Sequence, residues 1–168
     1  MIIPYDYGII NIYNRSNIIK TLVDNRRAWH DYEILEEYTA GIVLTGTEIK
    51  SLRNGKGNLT DSFAKFSAHE IFLHNMRISP YDKGGRENVD PVRTRKLLLT
   101  AREIAKLKVA VEEKGLTIIP LRVFLSRGYA KIILAIARGK KLYDKREAAA
   151  ERSAKREAER ALKGNMSV

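Results

Sequence analysis

The chain changes character at Gly139-Lys140-Lys141-Leu142-Tyr143-Asp144-Lys145-Arg146, and that change constrains its fold more than any other feature. Before it, short apolar runs punctuated by glycine supply material for a core. After it, residues 144–163 hold no Gly or Pro, and their one four-spaced apolar row is Ala150, Ala154, Ala158 and Leu162. Alanine buries too little surface to dock such a helix on a core. Arg152, Arg156 and Arg160 repeat at the same spacing, and Glu151–Lys155 and Glu159–Lys163 are favourable i, i+4 pairs. Isolated helices of this length are marginal in water, so the tail is expected to become helical only against an anionic partner. The chain thus divides into an atypical, flexible extension over 1–24, a folded body over 25–138 and a basic tail over 139–168.

Charge narrows the partners. The 168 residues carry 31 Lys and Arg against 20 Asp and Glu, a net charge of +11, which favours phosphate polymers. No window approaches the roughly 18 apolar residues of a membrane span, so no membrane partner is expected. With no cysteine, disulfides, thiolate metal sites and cysteine nucleophiles are excluded together, which points to a cytoplasmic protein held by its core. Residues 1–20 show neither helical nor strand period and lack the basic start and cleavage site of a signal peptide.

Within the body, His30–Tyr38 and Gly41–Leu44 read as two strands. Gly46-Thr47-Glu48 opens a short helix with Thr47 as N-cap, closed by Asn54-Gly55; Ile49 and Leu52 face inward, and Glu48, Lys50 and Arg53 point elsewhere. Residues 62–67 and 71–79 form a hairpin, followed by a glycine- and charge-rich loop from Pro80 to Pro91. Thr100-Ala101-Arg102-Glu103 is a capping box, opening a helix to Lys114 with Ile104, Leu107 and Val111 inside and Gly115 as terminator. Residues 117–124 and 129–137 form a second hairpin, with Pro120 marking an edge or a bulge. Six short strands with inserted helices predict a mainly β fold: a small closed antiparallel barrel of the oligonucleotide-binding (OB) type with a basic C-terminal tail. An SH3-like barrel and an open α+β sheet are the alternatives.

Catalytic constellations are not evident, and no enzyme, cofactor or metal is expected. His30, His69 and His74 lack metal-site spacing, and Glu36 and Glu37, adjacent on a strand, point to opposite faces. The informative clusters are basic. Arg93, Arg95 and Lys96 precede Leu97-Leu98-Leu99 and are expected to face solvent beside a helix N-terminus that also favours phosphate. Lys50 and Arg53 lie on the outer side of the first helix, and Lys140, Lys141, Lys145 and Arg146 flank the tail root. Such contacts fix orientation without reading sequence. On residues alone this is an RNA- or DNA-binding barrel.

Five segments together resemble a known family. Asn25-Arg26-Arg27-Ala28 with His30-Asp31-Tyr32, Gly46-Thr47-Glu48-Ile49-Lys50-Ser51-Leu52-Arg53, Asn58-Leu59-Thr60-Asp61-Ser62, Arg93 to Leu99, and Gly139 to Arg146 are similar, in order and spacing, to small protein B, the SsrA (tmRNA)-binding family of bacterial trans-translation. The resemblance covers residues 25 to about 163. It implies an OB-type barrel that binds the tRNA-like domain of tmRNA and delivers it to stalled ribosomes, without enzymatic activity. Implied partners are the ribosome, whose small-subunit decoding centre and empty mRNA channel the tail occupies, and, functionally, alanyl-tRNA synthetase and elongation factor Tu. For tmRNA contact it implies Gly41, Glu48, Lys50, Arg53, Asn58 and Leu98, beside Arg93, Arg95 and Lys96; Leu97 and Leu99 are better read as core, and Glu48 equally well as a cap or ion-pair partner. For ribosome function it implies Gly139, Lys140, Lys141, Tyr143, Asp144, Lys145 and Arg146, then Arg152, Arg156 and Arg160. Tyr143 would stack on an rRNA base, where some members have histidine. Thr39 and Thr100 depart from the family pattern, which has an acidic residue and Asn or His there. The alternative is a generic OB-type RNA-binding or ribosome-associated protein.

Overall fold

The computed structural model describes residues 20–140. Expectations for residues 1–19 and 141–168, the helical tail and its arginine row included, lie outside the described residues. In chain order the elements are β1 (Lys20–Asp24), α1 (Arg26–Asp31), β2 (Tyr32–Ile42), α2 (Gly46–Arg53), β3 (Gly57–Asn58), β4 (Phe63–Ser67), β5 (Glu70–His74), β6 (Arg77–Ile78), a 3-10 turn at Gly85–Glu87, β7 (Arg95–Leu98), α3 (Ala101–Lys114), β8 (Thr117–Ser126) and β9 (Tyr129–Gly139). The fold is mainly β with few helices.

The long C-terminal hairpin organises the rest. β9 pairs antiparallel with β8 along its length and with β2 on its other side. From β2 the pairing passes to β7, β5, β4 and back to β8, while β1 adds outside β8, and β3 and β6 pair separately. The register of β8 against β9 shifts between Pro120 and Arg122, the bulge that Pro120 announced. There the inward set changes: Ile118 and Val123 join the main core, whereas Ile119 and Leu121 join a smaller cluster with Ala28, Ala135 and Ala137. Two apolar layers, one on each face of the hairpin, follow from strands apolar on both sides.

Helix α1 covers the smaller cluster. Its N-cap Asn25 is buried; its Oδ1 accepts from Ala28 N at 3.3 Å, and its Nδ2 donates to Pro120 O at 2.9 Å. Helix α3 has the expected capping box at Thr100 and Glu103, and Gly115 ends it at φ 61° in the left-handed region.

Several expectations are corrected. The predicted strand at His30 begins instead at Tyr32, because the preceding six residues are helical, and β2 continues unbroken through Gly41. The cap of α2 is Thr45, not Thr47: Thr45 Oγ1 accepts from the Glu48 amide and the Glu48 carboxylate accepts from the Thr45 amide. The expected strand over 71–79 is interrupted at Asn75, which has φ 60°, and is resumed as β6. Residues 20–24, assigned to the flexible extension, are a strand whose Val23 reaches the core. Among the described residues nine strands, two of them 11 residues long, stand in place of six short ones.

Candidate RNA interface

The junction of α2 with β7 is held by one carboxylate. On α2, Leu52 faces the core and Glu48 lies one turn before it on the same side, so Glu48 is carried inward to 4% exposure. On β7, alternation with buried Leu97 carries Arg95 inward to 0%. The two side chains meet there. Glu48 Oε1 accepts from Arg95 Nε and from Arg93 Nε, each at 2.9 Å, and Oε2 accepts from Arg93 Nη2 at 2.5 Å and the Thr45 amide at 2.8 Å. Arg95 Nη2 also lies 2.8 Å from Glu48 Oε1, and the terminal nitrogens donate to carbonyls: Met76 O at 2.5 Å, Arg93 O at 2.9 Å and Pro91 O at 3.1 Å. Arg93 Nη2 also reaches Val43 O at 3.2 Å, tying the residue just after β2 to the clamp.

Burial by itself raises the Glu48 carboxyl, but the Arg93 hydrogen bond, the Thr45 amide and the Arg95 charge outweigh it and hold it below the ordinary carboxylate value. Burial lowers the Arg95 guanidinium from its usual value against the pull of Glu48, although arginine stays charged throughout the working range. A carboxyl whose folded pKa is depressed contributes stability that is present above its unfolded value of about 4.5 and lost as pH falls through the folded one. Denaturant melts of Glu48→Gln against the parent chain are therefore expected to show a gap that is widest above pH 4.5 and shrinks as acid protonates Glu48.

The predicted cations consequently separate. Arg95 does not face solvent, and Glu48 does not point away from the core; these two make the scaffold. Lys96 stays on the outer face, where its Nζ pairs with Glu70 Oε1. Lys50 and Arg53 are exposed on the outer side of α2, with Lys50 Nζ 5.6 Å from the centre of the Tyr81 ring, a cation–π contact. Asn58 is exposed on β3, and its Oδ1 accepts from the Thr60 amide at 2.6 Å, which shapes the turn there.

Gly41 and Leu98 are directly opposed on β2 and β7. A Cβ on Gly41 would lie 3.1 Å from Leu98 Cβ; the bare backbone lets Leu98 lie across it while remaining 52% exposed. Leu97 is core and Leu99 packs partly against it, as expected. Thr39 is exposed on β2 opposite Ile133, and Thr100 serves as the α3 cap. At the tail root, Gly139 ends β9; the Lys140 amide donates to Asp31 O at 2.9 Å and its Nζ to Trp29 O at 3.2 Å, so the tail departs from a point fixed to α1. Lys141, Tyr143, Asp144, Lys145, Arg146, Arg152, Arg156 and Arg160 lie outside the described residues.

Sequence reasoning missed the second capping box, although Thr45-Gly46-Thr47-Glu48 has the same spacing as the one it found at Thr100. It also missed Thr45 and Val43 as clamp partners, which meet the clamp through backbone atoms that carry no residue signature. Among the described residues no group of three or more His, Cys, Asp or Glu could hold a metal ion, and no helix is long and apolar enough to cross a membrane.

Known proteins resemble this chain along most of its length. The family model described as SmpB protein matches residues 22–164. The SsrA-binding protein of Geobacillus kaustophilus (strain HTA426) is 56% identical over 144 residues, covering 86% of this chain and 93% of the relative. That of Synechococcus sp. (strain JA-2-3B'a(2-13)) is 58% identical over 146 residues, 86% of this chain and 95% of the relative. A solved chain described as "tmRNA-SmpB: a journey to the center of the bacterial ribosome" superposes with a TM-score of 0.62 at 57% identity, covering 71% of this chain and 85% of that one.

Proposed function

The chain belongs to the SmpB protein family, and from that premise we propose that it binds the tRNA-like domain of tmRNA (SsrA RNA) and delivers it to stalled ribosomes for trans-translation. The observation that carries this reading is the reach of the likeness. It runs from residue 22 to residue 164, through body and tail alike, and relatives named SsrA-binding match over most of their own length. A generic RNA-binding barrel needs no such tail.

In this reading the circuit of pairings through β8, β4, β5, β7, β2 and β9 is a closed OB-type barrel. Lys50, Arg53, Asn58, Arg93, Lys96, Gly41 and Leu98 face the RNA. Glu48 and Arg95 act as positioning residues beneath them. The tail, from Gly139 and Lys140 onward, occupies the decoding centre and empty mRNA channel, supplying the contact that a missing codon cannot. The protein acts in the cytoplasm beside alanyl-tRNA synthetase, which charges tmRNA, and elongation factor Tu, and performs no catalysis itself.

The test is a competition gel shift: tmRNA is expected to be retained against an excess of bulk tRNA. Indiscriminate binding would leave only the generic RNA-binding reading. Because phosphate contacts release counterions, log affinity should fall with log salt at a slope of about −3 to −4 if about four phosphates are met. A slope near zero would remove the electrostatic basis of the interface.

A further inference from the structure

The outward face of β4, β5 and β7 places aromatic rings between cations. Phe63 pairs with His74, and Lys65 with Phe72, across β4 and β5; Phe72 in turn pairs with Lys96 of β7. Period two sends these side chains away from the core, since the alternating neighbours Ala64, Leu73, Arg95 and Leu97 are buried. Phe63 remains 37% exposed, and the Phe63 and His74 rings stack at 5.4 Å with 14° between their planes. Among the described residues, neither Phe63 nor Phe72 belongs to the two apolar clusters, so the packing of those clusters does not account for them. Phe72 lies in register between two lysines, of which Lys65 is exposed and Lys96 is held by Glu70.

We propose that this face is a stacking platform for unpaired RNA bases, with Phe72 and the Phe63–His74 pair taking base planes and Lys65 and Lys96 taking the flanking phosphates. Flat rings beside cations suit single strands of any sequence, because every base has a π-face. A protein partner would be served by the apolar rings but not by the two lysines beside Phe72. The platform is continuous with the Gly41–Leu98 contact, since Lys96 and Leu98 share one face of β7. The inference rests on the reading that the body binds RNA, and it assigns to that surface a subsite for single-stranded segments. Glu70 tunes it: its carboxylate takes one of the three ammonium donors of Lys96 and opposes an arriving phosphate by charge.

The test uses the full chain with three probes: tmRNA, a single-stranded RNA of about ten nucleotides, within the span such surfaces accommodate, and a duplex of the same length. Phe72→Leu, which keeps bulk but removes the ring, is expected to weaken tmRNA and the single strand by roughly tenfold, leaving the duplex unchanged. Phe72→Trp should bind as tightly as the parent, and Glu70→Gln about two- to threefold more tightly as Lys96 is released. Photocrosslinking of 4-thiouridine-substituted single strand to the unaltered chain should map to peptides spanning residues 63–74, which keeps the test valid even if Phe72→Leu unfolds. Parent-like affinity of Phe72→Leu on both probes, or crosslinks confined to other segments, would overturn the platform. Loss of tmRNA selectivity with Phe72-dependent binding of the single strand would instead refute the tmRNA reading and leave the platform standing.

Discussion

Glu48→Ala is expected to destabilise the fold by about 3–5 kcal/mol, the range for breaking a buried ion pair from one side. At a urea dependence of about 2 kcal/mol/M this moves the unfolding midpoint by roughly 2 M. The reason is what remains behind. Arg95 is 0% exposed and cannot turn to water, while Arg93, with a side chain 27% exposed, can. The Thr45 amide loses its acceptor as well. Replacing both partners, as Glu48→Leu with Arg95→Met, should cost less than the sum of the single changes, with a coupling of about 2 kcal/mol. Some cost persists, because Met76 O, Arg93 O and Pro91 O each lose a donor. Strict additivity in the double-mutant cycle would mean that the clamp does not act as a unit.

The same clamp shows what could be read from the chain and what could not. The α3 helix is legible because its start and stop signals, Thr100, Glu103 and Gly115, bracket a helix of 14 residues and act locally. The C-terminal hairpin was legible for the same reason, including the irregularity at Pro120. Helix α1 was not, since six residues are too few to show a helical period and its cap is secured by Asn25 Nδ2 on Pro120 O, 95 residues away. Arg95 was misplaced by its charge. Period two from Leu97 already pointed it inward, but the carboxylate that makes burial tolerable stands 47 residues earlier. A buried charge is legible only when its partner is, and pairing across such separations leaves no local mark.

The candidate interface divides along the same line. Leu98 as an exposed leucine and Leu97 as core follow from alternation. The close approach that makes Gly41 its counterpart depends on β2 lying beside β7, which no short window reveals. The period of α2 places Lys50 and Arg53 outward; of the two readings open for Glu48, RNA contact and a cap or ion-pair partner, the structure has the second, and only its burial runs against expectation, because carboxylates are seldom so fully buried.

The second large effect concerns function, and it tests most directly the claim that body and tail do separate work. Alanine at Asp144, Lys145 and Arg146 removes charge from the tail root without touching any residue of the body. The body's grip on tmRNA is expected to stay within about twofold of the parent, a difference below about 0.5 kcal/mol. Peptide tagging on ribosomes stalled without a codon should be abolished. The decisive measurement is therefore the pair of assays on this one triple variant: preserved tmRNA affinity with tagging lost is the result predicted here, and parallel losses in both, or tagging that survives, would contradict it.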